Sequence, residues 1–194
     1  MGPGVTALEI GCGTGLFTEL LAATGARITA VDLSPDLLKK AQERNLPAEQ
    51  VRFLLRPFEK CMDLGPFDAV LGSSVLHHLD LDPALGRIAE LLKPGGLMSF
   101  AEPNMLNPQV FAERHFRFLF PQVSPDETAF IRWRLAAGLS RANFHAIEIT
   151  PFDWLHPSVP SRFIAPVLRL GRLLEILPGL REFSGSLYIR ARKS

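Results

Sequence analysis

Three glycines at alternate positions, Gly11, Gly13 and Gly15, sit in the stretch LEIGCGTG, between an apolar run and the start of a helical pattern. Glycines there let a ligand approach the backbone closely, because no Cβ stands in the way and a positive φ costs little. The spacing is GxGxG. A dinucleotide fingerprint needs a glycine three residues after Gly13, and Leu16 holds that position. Asp32 comes 17 residues after Gly15, at the end of a second apolar run. A carboxylate at such a strand end can accept hydrogen bonds from both hydroxyls of a ribose. Loop and acid together point to a bound nucleoside.

Further along, Ser73 and Ser74 end a fourth apolar run, and His77 and His78 come just after it. An imidazole beside a reacting hydroxyl can take its proton near neutral pH, so this pair is the candidate general base, with His115 and His145 as weaker candidates. The plain alternative is that the pair begins a helix and one ring packs or caps. Phe111, Phe116, Phe118, Phe120, Phe130 and Trp133 crowd a short stretch, which suits either a pocket for an apolar or aromatic acceptor or ordinary core.

Placing these residues requires strands that end at one edge and helices that return the chain. Residues 5–10 read as a short buried strand, the glycine loop turns the chain, and residues 16–23 repeat apolar positions at helical spacing. Residues 27–32 give a second strand, and Ser34-Pro35 supplies an N-cap with proline at the first helical position for a helix over 36–44. Strands follow at 51–55, 67–71 and 97–101, with an amphipathic helix over 83–92 that Lys93-Pro94-Gly95-Gly96 ends. Past residue 103 the alternation breaks into a Phe-rich, proline-interrupted segment. Helical spacing returns over 126–139, and strands at 146–150 and 186–192 flank an apolar helix over 161–177.

This order predicts an α/β fold: a Rossmann-like, seven-stranded, mostly parallel sheet with an antiparallel edge strand and helices on both faces. Residues 1–194 are expected to form one domain, with a cofactor half at 1–103 and a substrate-facing insertion and edge strands at 104–194. A net charge of +1 leaves no broad field to gather nucleic acid, so a small molecule is the expected partner. The two cysteines, Cys12 and Cys61, fit a reducing compartment, since a disulfide at Cys12 would distort the glycine loop. Neither a secretory signal nor a transmembrane run is legible, because Arg169, Arg172 and Glu175 interrupt the most apolar late segment. A cytoplasmic protein is expected, with residues 163–177 leaving room for peripheral membrane contact. No metal is expected, and the oligomeric state is not legible.

The sequence resembles the class I S-adenosylmethionine-dependent methyltransferases from about Val5 to Asn104, and the order of its motifs carries the likeness. LEIGCGTG is similar to the family's first motif, VDLS to its acidic second, FDAVLGSSVLHHL to its fourth, and LLKPGGLMSFAEP to the strand and turn after it. Within the family it looks like the small-molecule group that includes the ubiquinone and menaquinone biosynthesis enzymes. The resemblance implies S-adenosylmethionine as cofactor and S-adenosylhomocysteine as product, with a methyl group passing to a small, apolar or aromatic acceptor. It further implies that Glu9, Gly11, Cys12, Gly13, Thr14 and Gly15 wrap the methionyl part, Cys12 being a small filler. Asp32 then holds the ribose, Leu33 flanks the adenine, Ser34 beside it is a further cofactor-binding residue, and Ser73 and Ser74 line the methionyl side toward the transferable methyl.

Two departures from the family pattern stand out. After the third strand the family has Gly-Asp, whose acid reaches the adenine amine, whereas this chain reads Leu55-Arg56-Pro57-Phe58-Glu59. Pro57 and Phe58 then offer backbone and an apolar face to the adenine, and Glu59 stands as substitute acid. At the front, the helices that close over cofactor and substrate are missing; either residues 104–130 serve as the lid or the chain is a piece of a longer one. Two other classes remain open: a transferase using a related cofactor, such as an aminopropyl transferase, and a non-catalytic nucleoside-binding module. The stretch GSSVLHH has none of the acids an aminopropyl acceptor needs.

Overall fold

The computed structural model describes residues 1–116, 118, 120, 127–156 and 159–194. Its strands are β1 (Thr6–Ile10), β2 (Arg27–Asp32), β3 (Val51–Leu55), β4 (Phe67–Ser73), β5 (Leu92–Pro103), β6 (Phe144–Phe152) and β7 (Ser186–Lys193). They form one sheet in the order β3-β2-β1-β4-β5-β7-β6. The first five run parallel, and β7 lies antiparallel to both β5 and β6, so the edge pair carries the antiparallel part.

Strand order reverses between β1 and β4. At such a switch point the chains leave β1 and β4 toward opposite sides, which opens a crevice at the carboxyl ends of the two strands. The glycine loop leaves one of those ends and Ser73-Ser74 leaves the other.

Alternation along the strands divides the core in two. Leu8, Ile10, Val31, Val70, Met98 and Phe100 pack on one face with Ala84, Leu85, Ile88 and Leu91 of α3 (Leu81–Leu91) and with Leu135 and Leu139 of α5 (Arg132–Arg141). Ala7, Ile28, Ala30, Ala69 and Leu71 pack on the other with Leu21 and Ala22 of α1 (Leu16–Ala22) and Leu38 of α2 (Pro35–Gln42). Helices therefore cover both faces.

The local signals hold where they are chemical. Ser34 Oγ accepts a hydrogen bond from Leu37 N–H at 3.3 Å with Pro35 at the first helical position, as a cap should. The Lys93–Gly96 stretch differs from the expected turn: β5 already begins at Leu92, which pairs with Phe67, and the glycines form an irregularity inside the strand. The expected helix over 126–139 is shifted to Arg132–Arg141, and Asp126 lies outside the described residues. A further helix, α4 (Pro108–His115), occupies the segment read as irregular. Its signal was present: Asn107 Oδ1 accepts from Gln109 and Val110 N–H, and Pro108 stands first in the helix. The remaining helices are α6 (Ser161–Ile176) and the short α7 (Pro178–Arg181).

Candidate functional site

The glycine loop is pinned to the next strand. Gly11 and Cys12 N–H donate to Val31 O at 2.9 and 3.1 Å, and Gly15 N–H closes the turn on Cys12 O at 2.9 Å. Gly13 has a φ of 54°, and a Cβ built on it would meet nothing within 4 Å, so the volume a side chain would take lies open beside the backbone. At Gly15, by contrast, a Cβ would press on Ala41 of α2 at 3.0 Å, so that glycine serves helix packing. The Arg44 guanidinium donates to Thr14 O at 2.6 Å and pairs with Glu19, which closes the far side of the loop.

Asp32 ends β2 beneath this loop. Its Oδ2 accepts Gly13 N–H at 2.7 Å and its Oδ1 accepts Ser34 N–H at 2.8 Å. Two backbone donors fix the carboxylate, and each oxygen retains a lone pair for a ligand hydroxyl. Asp32 and Leu33 line a cavity of about 390 Å³ with Gly11, Phe58, Glu59 and Val75, among others. This is within the usual size range of small-molecule sites. Leu33 is 71% exposed and Phe58 is buried, so two apolar side chains border the same space. Pro57 opens the short 3-10 turn Phe58–Lys60 that sets Phe58 and Glu59 there.

Below the loop, Glu9 is 1% exposed and its Oε2 has no hydrogen-bond partner. Burial pushes its carboxyl up to about 7, and the neighbouring Asp32 adds to the rise, while Thr18 opposes it. An unpartnered buried carboxyl costs free energy, and a cation arriving over the loop would relieve that cost. The Cys12 thiol is raised to about 12, first by burial and then by Glu9 and Asp32, which keeps it a neutral filler.

After β4 the chain makes a strained turn. Ser74 has a φ of 55°, and its N–H donates to Ala101 O at 2.8 Å. The buried Glu102 of β5 holds the residues after Ser74: Oε1 accepts Val75 and Leu76 N–H at 3.0 and 2.8 Å, while Oε2 accepts His77 N–H at 3.3 Å and meets His77 Nδ1 at 2.8 Å. His77 is thus a buried ring tied to a carboxylate. His78 is exposed and lines the cavity of Asp32 and Phe58. Ser73 is exposed at the strand end, whereas Ser74 belongs to a second cavity, whose lining includes neither histidine. Val75 joins the two sides, since its Cγ2 lies 3.0 Å from where a Gly11 Cβ would stand.

That second cavity, about 180 Å³, is walled by Asn107, which caps α4, by Val110 and Glu113 of α4, and by Trp154 and His156 from the segment after β6. Glu113 is buried, and its Oε1 lies 3.1 Å from His156 Nε2. These residues were not singled out from sequence, and neither was Glu102. A charged residue inside the apolar run SFAEP is the signal that could have found Glu102. The six aromatics read as a candidate pocket do not gather in one: Phe111 and Phe130 share a cavity with His115, while Phe116, Phe118 and Trp133 are exposed. His145 is also exposed, near Ser194 Oγ. Among the described residues, no three His, Cys, Asp or Glu side chains gather as metal ligands do.

Comparison with known proteins bears on this arrangement. The family model described as a methyltransferase domain matches residues 8–100. The chain is 35% identical over 158 residues to the ubiquinone biosynthesis O-methyltransferase of Xylella fastidiosa, an alignment covering 76% of this chain and 63% of that protein. The chain thus spans about three fifths of the length of this curated relative. An S-adenosylmethionine-dependent methyltransferase from Mesorhizobium loti superposes with a TM-score of 0.70 at 19% identity, over 98% of this chain and 92% of the other. The N-methyltransferase NodS from Bradyrhizobium japonicum, solved with S-adenosyl-L-homocysteine, superposes with a TM-score of 0.66 at 18% identity, over 99% and 79% of the two chains.

Proposed function

We propose that this chain is a class I S-adenosylmethionine-dependent methyltransferase that methylates a small hydroxyl-bearing acceptor bound beside Ser74. One observation carries the reading: a fixed carboxylate, Asp32, stands at the switch-point crevice beside a glycine whose Cβ space is open, above a buried Glu9 with an unpartnered oxygen. These residues fit S-adenosylmethionine, which has vicinal ribose hydroxyls at one end and a cationic amino-acid tail at the other. Asp32 would grip the ribose, and Gly11, Cys12, Gly13, Thr14 and Gly15 would face the tail, with Glu9 balancing its ammonium. Leu33, Ser34, Pro57, Phe58 and Glu59 would border the adenine.

Bound S-adenosylmethionine supplies an already activated methyl on a sulfonium, so what remains for the protein is orientation and electrostatics. Ser73 ends β4, Ser74 lines the second cavity and Val75 the first, so the acceptor would meet the methyl along this turn. Holding the two in line can account for roughly 7–11 kcal/mol of barrier lowering. A hydroxyl acceptor also loses a proton. The Glu113–His156 pair lines the Ser74 cavity and is positioned to take it. His78 lies on the nucleoside side, and His77, through Glu102, orders the turn instead. The name of the curated relative, an O-methyltransferase, supports an oxygen acceptor.

In this reading residues 1–194 act as one domain, with 1–103 holding the cofactor and 104–194 building the acceptor side. Two buried free thiols, Cys12 and Cys61, support a cytoplasmic setting. Calorimetric titration with S-adenosylhomocysteine, on the native chain and on Asp32→Asn, tests the assignment. Losing charged hydrogen bonds of roughly 1.5–3 kcal/mol should weaken binding by about tenfold to a hundredfold. Equal affinity in both proteins removes the ribose assignment, and binding without methylation of any phenol in a panel of probes leaves a nucleoside-binding module.

A further inference from the structure

The helix α6 is the least buried long element of the described structure. Of its 16 residues only Gly171 is buried, where a Cβ would meet Trp154 at 3.1 Å. At 100° per residue, Phe163, Pro166, Leu170 and Leu173 fall in one stripe at the i, i+3, i+7, i+10 spacing, beside the contact with Trp154. Leu170 and Leu173 are 57% and 62% exposed, and Leu177, at the break between the helices, and Leu180 of α7 are exposed too. An apolar surface this continuous on a solvent-facing helix marks a contact site.

The charges around the stripe name its partner. Arg162 and Arg169 border it on one side, Arg172 lies farther round on the same side, and among the described residues none of the three has an ion pair. Arg162 lies over the Phe163 ring at 4.8 Å. The one acid of the helix, Glu175, turns inward, its Oε1 accepting Asp153 N–H at 2.8 Å. The outward charge of the helix is therefore wholly positive. No helix among the described residues is long and apolar enough to cross a membrane, and 16 residues span about 24 Å. An apolar stripe bordered by arginines, on a helix of this kind, suits the plane of an anionic lipid surface.

We infer that α6 and α7 dock the protein onto a negatively charged bilayer, with Phe163, Leu170 and Leu173 entering the interface and the three arginines meeting lipid phosphates. The same helix packs on Trp154, which lines the Ser74 cavity, so docking sets that cavity beside the membrane. The inference is independent of which reaction the cavity performs.

Flotation of the full chain with vesicles of phosphatidylglycerol and phosphatidylcholine, and with vesicles of phosphatidylcholine alone, tests it. The native protein should float with the anionic vesicles and stay behind with the neutral ones. Two variants, Leu170→Asp with Leu173→Asp, and Arg162→Gln with Arg169→Gln and Arg172→Gln, should each lose at least about tenfold in partitioning. The arginine variant leaves the packing on Trp154 untouched, so it decides the matter if the leucine variant folds poorly. No flotation of the native chain, or unchanged flotation of the arginine variant, overturns the inference. So does a native dimer that Leu170→Asp dissociates while vesicles are ignored, which would make a second copy the occupant.

Discussion

The wall that holds Asp32 and the wall that holds Glu113 meet at the same edge of one sheet, but different bonds build them. On the first, the Gly11, Cys12, Gly13 and Ser34 N–H groups donate to Val31 O and the Asp32 carboxylate, so main-chain bonds set the shape of the loop and fix the acid. On the second, the surface is side chains from α4 and from residues 153–156. These are held by scattered contacts such as Asn107 Nδ2–H to Phe183 O, Asp153 N–H to Glu175 and the Arg181 guanidinium to Pro151 O. A backbone-built wall keeps its shape whatever side chains surround it, whereas a side-chain-built wall changes with each substitution. The first suits a constant ligand and the second a particular one.

The largest effect is expected where the two walls join. Glu102→Ala would leave three backbone N–H groups and the His77 ring without their acceptor in a buried place, a loss of about 3–5 kcal/mol. The thermal midpoint should fall by roughly 10 °C, and Glu102→Gln, which keeps one accepting oxygen, should fall less. A midpoint within about 2 °C of the native chain would mean that Ser74 and Val75 are held by something else.

Next comes the wall around Asp32. Unfolded, Glu9 releases its proton near 4.5; folded, it holds it to about 7. Between those values the folded chain binds the extra proton, so the stability due to Glu9 is full below about 4.5 and declines as pH rises to about 7. The decline is on the order of 3 kcal/mol over that window. Urea midpoints measured across it should slope downward in the native chain and flatten in Glu9→Gln. Identical slopes would remove Glu9 as the titrating group.

The smallest energetic effect should sharpen the contrast most. Glu113→Gln is nearly isosteric, so S-adenosylhomocysteine affinity should stay unchanged while methylation of a phenol probe slows by about tenfold to a hundredfold. A loss of cofactor affinity with turnover preserved would reverse the assignment of the two walls.

Much of the wall around Asp32 was legible beforehand because its causes are local. GxGxG, the strand before it and an acid closing the next strand are consecutive features, and each needs only a few neighbouring residues to take its shape. The wall around Glu113 was not legible, since Ser74, Glu113 and Trp154 are far apart in sequence and nothing in their local pattern says that they share a cavity. His77 shows the same limit: its spacing suits a candidate base, and only its partner 25 positions away, the carboxylate of Glu102, gives it a different role.

By itself, then, the order of residues determined the alternating elements, the side-chain-free loop and the carboxylate that faces it, because propensity, capping and short-range spacing act within a dozen residues. Only the tertiary structure decided which histidine is buried and which is exposed, which carboxylates share a cavity with Ser74, and that α6 leaves its arginines and leucines uncovered. Those outcomes depend on long-range packing of β5, β6 and β7, where each side chain's environment is supplied by residues far along the chain.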